Sequence, residues 1–236
     1  MKRLHDDKVL KLVSTRSSWR IPAQHGTELD KNKRMKEARK IILERDDYTC
    51  YYCGFRSERH QEIHHLDHNH ENYDHSNLTT VCPLCHQASH LSTVGDTGGG
   101  SIIWLPEISQ IDLNRLCIAI FIALKSGQDE WVNSAKSLYV SLDSRKHLVI
   151  SALGNEASDP MTLAQSLLKM PPEELEKRSD EFLAPLRLLP LVTRFDIPVD
   201  YWISKQYKDL PVGDMWKNII PESMDIFEMK NKSSIR

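Results

Sequence analysis

Four of the five cysteines in this 236-residue chain form two pairs whose spacing suits a metal ion. Each pair has the form Cys-x-x-Cys: Cys50 with Cys53, and Cys82 with Cys85. Thiolates are preferred ligands of Zn²⁺, and one such turn can direct two sulfurs at the same ion. Free or redox-active thiols are the alternative. The spacing predicts a structural zinc site of four cysteines, with an insertion between the two pairs.

Histidines are concentrated in that insertion and just after it. The eight are His60, His64, His65, His68, His70, His75, His86 and His90, of eleven in the chain. Imidazole binds divalent metals, and its ordinary pKa near 6.5 also suits it to accept a proton at neutral pH. The cluster therefore indicates a metal-binding or hydrolytic site, although its surplus members can also be side chains of a solvated loop or ligands of a second, adventitious zinc.

The order of residues in this segment resembles the HNH (ββα-metal) nuclease motif. The resemblance is carried by Ile63-His64-His65-Leu66, by Asn77-Leu78, and by Cys82-Pro83-Leu84-Cys85-His86 with His90. The flanking cysteine pairs match the zinc-stapled branch of that family. The resemblance implies a small zinc-bound domain in which two strands are followed by a helix.

The same resemblance implies a role for each matching residue. His64, His86 and His90 would bind a divalent ion, either Mg²⁺, Mn²⁺, Ni²⁺ or Zn²⁺, and leave positions open for phosphate and water. His65 would act as the general base on the other face, because neighbouring residues of a strand alternate in direction. Asn77 would hold the backbone across the intervening loop. Asp67 and Asp74 are either outer partners of this site or ordinary loop acids.

Elements that position these residues can be read on either side of them. Residues 8–22 predict a short strand and a turn, and residues 31–45 predict a helix with an apolar face among cations. Those cations form either a solvated helix face or a surface for phosphate groups. Residues 48–92 have almost no apolar periodicity, so a bound metal rather than a core of their own is expected to order them.

A glycine-rich stretch is the strongest candidate for a domain boundary. Residues 1–95 are predicted to form the zinc-binding domain, 96–100 a linker, 101–210 an all-helical half, and 211–236 a tail. The predicted helices of the second half are Ile111–Lys125 and residues 130–152, 161–170, 173–189 and 199–208. The predicted fold class is α+β.

Composition restricts the function further. Hydrophobic residues make up 40% and charged residues 27%, with a formal charge of −2. These values exclude a disordered chain, a collagen-like fibre and a membrane channel. No stretch predicts a membrane span or a signal peptide, so a cytoplasmic protein without direct membrane insertion is expected. Positive charge is in excess only in residues 1–60, so a surface for nucleic acid would have to lie there.

A second resemblance extends over about residues 10–205, to the DotN (IcmJ) family of type IVB secretion systems. Its strongest part is Gly98-Gly99-Gly100 followed by Leu105-Pro106-Glu107-Ile108-Ser109-Gln110 and Leu113-Asn114-Arg115-Leu116-Cys117. The other matching segments are Ser18-Trp19-Arg20, residues 45–55, Ser134-Ala135, Ser158-Asp159-Pro160 and Leu188-Leu189-Pro190. Well-known members have a degraded HNH centre, whereas this chain keeps His64, His65, His86 and His90.

The DotN resemblance implies a zinc-binding adaptor subunit of a coupling-protein complex. Its partners would be a DotL-like type IV coupling ATPase and other secretion adaptors, engaged peripherally at the inner membrane for transfer of effectors or DNA. The alternative is a metal-dependent HNH endonuclease that cuts DNA with His65 as general base. A third possibility is a zinc-ordered nucleic-acid binder that does not cleave.

Overall fold

The computed structural model describes residues 8–13, 28–171, 173–174, 182–209 and 212–219. Within these ranges, helices alternate with two antiparallel two-stranded sheets, which confirms the α+β class. The elements are α1 (Glu28–Arg45), β1 (Glu62–His65), β2 (Leu78–Val81), α2 (Pro83–Ala88), α3 (Leu91–Thr97), β3 (Gly100–Trp104), α4 (Gln110–Leu124), α5 (Asp129–Ser144), α6 (Lys146–Leu153), α7 (Pro160–Lys169), β4 (Leu186–Pro190), a 3₁₀ turn (Val192–Phe195), α8 (Asp196–Tyr201), a π-helical turn (Trp202–Gln206) and α9 (Val212–Ile219).

The hairpin of β1 and β2 carries the central part of the histidine cluster. Its strands pair antiparallel, with His64 opposite Thr79 and His65 opposite Leu78. Helix α1 confirms the predicted helix and covers one face of the hairpin, where Ala38 and Ile42 pack with Leu78 and Ile63. The α1 helix thereby supplies the small hydrophobic core that a polar hairpin of four-residue strands lacks.

Helix α4 lies at the centre of the second half, as its sequence predicts. Its N-terminus is capped by Ser109, whose hydroxyl accepts a hydrogen bond from the Asp112 amide at 3.1 Å. Nearly every side chain from Gln110 to Ala123 is buried. A helix that is apolar on all sides is stable only when other elements surround it, and α5, α9 and β4 all pack on α4.

The second half differs from the predicted all-helical arrangement because it contains a sheet. Strand β3 pairs antiparallel with β4, from Gly100 opposite Pro190 to Trp104 opposite Leu186. The prediction of a helix over 173–189 is therefore wrong for its last residues, 186–189, which belong to β4. Pro185 and Pro190 bound this segment, and its hydrogen-bond partner lies far away in the sequence.

Three further elements differ from their predicted forms. The helix expected over 130–152 is divided into α5 and α6 at Arg145, whose guanidinium binds Glu107 at 2.9 Å. The helix expected over 199–208 becomes α8 and a π-helical turn. Residues 8–13 are not a strand, because Val13 only exchanges single hydrogen bonds with Ala88 and Leu91, while residues 14–22 lie outside the described ranges.

One hydrophobic core contains residues from both sides of the glycine-rich stretch. It runs from Leu10 through the four cysteines and α4 to Trp202 and Ile219. Gly98 ends α3 with a φ of 61°, and Gly100 begins β3. The division of the chain at residues 95–101 and the tail from 211 stay predictions. Among the described helices, none combines the length and the apolar character needed to cross a bilayer.

Candidate metal centres

The four cysteines of the predicted zinc site lie together in the fold. Cys50, Cys53, Cys82 and Cys85 are buried, and their sulfurs all lie within 4.8 Å of one another. The sulfurs of Cys53 and Cys82 are 3.6 Å apart. A disulfide would require about 2.05 Å, whereas tetrahedral zinc with bonds of about 2.3 Å separates its sulfurs by about 3.8 Å. The donor set therefore fits a metal ion such as zinc.

Local sequence explains how each pair presents its sulfurs. After Cys53 the chain turns at Gly54, whose φ of 72° is readily available to glycine, and the Gly54 amide bonds back to the Cys50 carbonyl at 2.9 Å. Cys82 caps α2, where its sulfur accepts from the Cys85 amide at 3.4 Å and Pro83 occupies the first turn. A hydrogen bond from the Tyr51 amide to the Thr80 carbonyl of β2 holds the first turn next to the strand that leads into the second.

The electrostatics of the four thiols favour a cation among them. Burial raises the pKa of Cys82 and Cys85, and hydrogen bonds with Cys50 raise it further. Burial also opposes ionisation of Cys50, but hydrogen bonds from the other three thiols hold its pKa well below that of a free thiol. Four buried sulfurs can all be thiolates only beside a compensating positive charge, which a divalent metal supplies.

Helix α4 also contacts the cysteine cluster, a contact that no sequence pattern predicts. The Asn114 amide nitrogen donates to the sulfur of Cys85 at 3.3 Å, and the Arg115 guanidinium donates to the Cys53 carbonyl at 2.9 Å. Each of the two Cys-x-x-Cys pairs is thus tied to the central helix of the second half.

Three of the predicted metal-binding histidines also come together. Ring nitrogens of His64, His86 and His90 lie within 4.8 Å of one another. The Nε2 atoms of His86 and His90 are 3.0 Å apart. His64 is 1% exposed, and neither of its ring nitrogens has a hydrogen-bond partner among the described residues. Buried polar atoms are normally satisfied, so a group that coordinates this ring is expected. These three imidazoles fit a divalent transition metal.

Glu62 is a further member of this site that the sequence reasoning did not identify. Its carboxylate contacts Nδ1 of His86, so the Nε2 atom of that ring is directed at His90. Carboxylates that hold the distal nitrogen of a ligating imidazole are common around metals. The signal was present in the sequence, because Glu62 is two positions before His64 and alternate residues of a strand share one face.

The rings of His64, His65 and His90 are neutral at pH 7. Burial, together with the neighbouring imidazoles, lowers the pKa of His64 to about 3 and that of His90 to about 2. Burial likewise lowers the pKa of His65 to about 4. Neutral imidazole is the form that binds a metal or accepts a proton, so the site is prepared for either at neutral pH.

His65 lies apart from the three clustered histidines. Its ring is 4% exposed, near His70 and Tyr73 at centroid distances of 4.9 and 6.1 Å. Asn77 holds the loop after β1, since its side chain accepts from the Asp67 amide at 3.0 Å and donates to the Asp67 carboxylate at 2.9 Å. Asp67 is therefore a loop residue, and its hydrogen bonds to Asn72 and Asn77 lower its pKa.

The remaining histidines differ in their distance from the cluster. The ring of His68 lies 5.2 Å from that of His64, and the ring of His70 lies 5.7 Å from that of His90. His75 is exposed, and His60 lies on the ring of Tyr201 instead. The loop between β1 and β2 thus brings His68 and His70 close to the cluster, without placing either within the three-histidine group.

Comparison with known proteins shows which family this chain belongs to. No protein-family model matches the chain. The chain is 32% identical over 203 residues to the Type 4 apparatus protein DotN of Legionella pneumophila subsp. pneumophila (strain Philadelphia 1), an alignment that covers 85% of this chain and 92% of the relative. The chain belongs to the DotN family. This membership confirms the broader of the two resemblances, while the HNH-like character of the hairpin and α2 stays a prediction.

Proposed function

We propose that this DotN-family chain is a subunit of a type IVB secretion apparatus, in which it is a zinc-binding adaptor for the coupling ATPase. The observation that supports this role is the similarity to the Type 4 apparatus protein DotN over 85% of the chain. The alignment is much longer than the segment that holds the cysteines and histidines, so it includes most of the second half as well. In this proposal the chain works in the cytoplasm, at the inner membrane, with a DotL-like ATPase and other secretion adaptors.

The cysteine centre has a structural task in this proposal. Zinc bound there would add folding energy to the segment around residues 50–90, whose buried side chains lie in cores shared with other parts of the fold. The four buried sulfurs are within the main core, and α4 contacts the Cys85 sulfur and the Cys53 carbonyl, so the cysteine centre connects the hairpin to the second half. An adaptor needs such a rigid frame to present a constant surface to its partner.

A binding experiment tests the adaptor role directly. The purified chain would be mixed with the cytoplasmic part of the coupling ATPase from the same bacterium and analysed by size-exclusion chromatography with light scattering. We expect a complex of defined stoichiometry at micromolar concentration. Separate elution of the two proteins at tens of micromolar would contradict the proposal. His75→Ala, a change at an exposed loop residue, is the control that should not alter the complex.

A second candidate function is a metal-dependent HNH endonuclease. The observation that favours it is the convergence of His64, His86 and His90, together with the buried, neutral His65 that follows His64 in β1. A divalent ion held by these three histidines would stabilise the negative charge that develops on a scissile phosphate. In this candidate role a ring nitrogen of His65 takes the proton of the attacking water, and Asn77 fixes the loop that follows His65.

Plasmid nicking separates the candidates. The chain would be incubated with supercoiled DNA and Mg²⁺, Mn²⁺ or Ni²⁺, and compared with His65→Ala and with His75→Ala. Nicking by the wild type and His75→Ala, but not by His65→Ala, would establish the nuclease. DNA binding without nicking would instead support the third possibility, a zinc-ordered nucleic-acid binder. We expect neither activity if the chain acts as an adaptor alone.

A further inference from the structure

Asn114 lies at the contact between the cysteine cluster and the second half of the fold. Its side chain is completely buried in α4, and its amide nitrogen is 3.3 Å from the sulfur of Cys85. Asparagine in the interior of an otherwise apolar helix carries a desolvation cost that must be offset by hydrogen bonds. The hydrogen-bond partners of this side chain therefore indicate its structural role.

A chain of hydrogen bonds continues from Asn114 to strand β4. The Asn114 oxygen accepts from the Gln110 side chain at 2.9 Å. Gln110, also buried, holds the backbone of Leu188 at both ends: its oxygen accepts from the Leu188 amide at 2.8 Å, and its nitrogen donates to the Leu188 carbonyl at 2.9 Å. The connection from the Cys85 sulfur to the second sheet is therefore continuous and buried.

The direction of each hydrogen bond in this chain is fixed by chemistry. The Leu188 amide can only donate, so the oxygen of Gln110 must face it and the nitrogen of Gln110 must face Asn114. The oxygen of Asn114 is thereby committed to Gln110, and its nitrogen must face Cys85. The sulfur is thus required to accept, which a metal-bound thiolate does far better than a neutral thiol.

We propose that Asn114 is a positioning residue of the cysteine metal centre, and that through Asn114 and Gln110 the bound metal orders strand β4. The inference rests on the proposed metal site at the four cysteines. With metal present, the Asn114 amide satisfies one lone pair of the Cys85 thiolate and orients it. Without metal, the Asn114 amide no longer has a thiolate as its acceptor, so Asn114 and Gln110 hold the backbone of Leu188 less firmly. Metal occupancy is thereby linked to the β3–β4 sheet, which is distant in sequence.

Metal release is the first test. Zinc transfer from the purified chain to a chromophoric chelator would be followed for the wild type, for Asn114→Leu, and for Asn133→Leu as the control, because Asn133 is exposed on α5. We expect release from Asn114→Leu to be about 10-fold faster or more, because removing an outer contact of a metal ligand typically weakens metal affinity by about 10- to 100-fold. Equal release rates for Asn114→Leu and the wild type would overturn the inference.

Hydrogen exchange on the zinc-loaded proteins is the second test, and it does not depend on release rates. We expect the amides of Leu186–Leu189 to exchange several-fold faster in Asn114→Leu than in the wild type, while those of Glu62–His65 remain unchanged. Equal protection of Leu186–Leu189 in both proteins would also overturn the inference. If Asn114→Leu does not fold, Gln110→Leu tests the same connection from its other end. A wild-type chain that holds no zinc would instead refute the proposed metal site itself.

Discussion

At the scale of single residues, the cysteine and histidine centres differ in their surroundings. The cysteines lie in the main apolar core, where a divalent metal would compensate the charge of four thiolates. The histidines lie beside a polar loop and the half-exposed Glu62. The first environment suits a permanent structural ion, and the second suits an ion that exchanges.

Replacement of one thiolate should prevent folding. We expect Cys53→Ser and Cys82→Ser to abolish soluble folded protein, because structural zinc contributes on the order of 10 kcal/mol. Expression yield and far-UV circular dichroism measure the loss. Cys117→Ala is the control, since Cys117 is buried in α4 away from the cluster and should leave the chain folded. A double Cys53 and Cys82 variant that unfolds cooperatively from a native state would contradict the expectation.

Loss of the candidate base should scarcely alter stability. His65→Ala removes a buried ring whose Nε2 atom has no hydrogen-bond partner among the described residues. Keeping an unpaired ring nitrogen buried costs free energy, and the removal of this cost offsets the loss of packing. We therefore expect the free energy of unfolding to change by no more than about 1 kcal/mol. Urea denaturation provides the measurement, and a loss of several kcal/mol would show that His65 is a structural residue.

Glu62 should control the affinity of the histidine centre. With the cysteine site already loaded, we expect Glu62→Ala to weaken Ni²⁺ or Co²⁺ binding about 10- to 100-fold, because His86 loses the group that orients it. Titration calorimetry measures the effect, and Glu62→Gln should recover part of it. Asp74→Asn, a change at an exposed loop acid, is the matched control. Unchanged affinity in Glu62→Ala would remove Glu62 from the site.

Much of the candidate site could be predicted from residue type and spacing alone. Thiol and imidazole chemistry restricts the possible ligands so strongly that the four cysteines and the three clustered histidines are found together as expected. Glu62 was missed because a single carboxylate is common on protein surfaces and its residue type alone does not indicate a metal site. Asn114 was missed because its partner Cys85 comes from another part of the sequence, and no local pattern reports that contact.

At the scale of elements, local signals predicted the helices better than the second sheet. Helix α4 has a capping serine and a long apolar run, both of which can be read within one window. Strand β4 has no such signal, because it exists only through its pairing with β3, more than eighty positions earlier in the sequence. The packing of α3 on α7 is likewise invisible to local signals, because it depends on Gly95 of α3 lying against Met161 of α7.

Gly95 allows α3 and α7 to approach closely, and a side chain there should separate them. A Cβ at this position would lie 2.4 Å from the Cβ and 2.6 Å from the backbone of Met161. We expect Gly95→Ala to destabilise the chain by about 1–3 kcal/mol, although alanine ordinarily favours a helix. Thermal unfolding is the measurement. Gly213→Ala, where the new Cβ would only touch the Trp131 ring at 3.4 Å, should be neutral or stabilising.

At the scale of the whole molecule, the cysteine centre connects parts of the chain that are far apart. Its cysteines come from the turn before β1 and from the start of α2, while α4 contacts it from the second half. Trp202, near the end of the described chain, packs on Phe55 at a centroid distance of 4.8 Å and donates to Ser57 at 3.1 Å. A metal at the four cysteines would therefore stabilise the entire fold rather than a local loop.

Native mass spectrometry of the purified chain after dialysis against EDTA tests this account most directly. The account expects one zinc ion to remain per chain, to persist in His64→Ala and His86→Ala, and to be absent from any Cys85→Ser protein that can be recovered. A folded wild-type chain without metal, or one in which the cysteines are joined in disulfides, would contradict it.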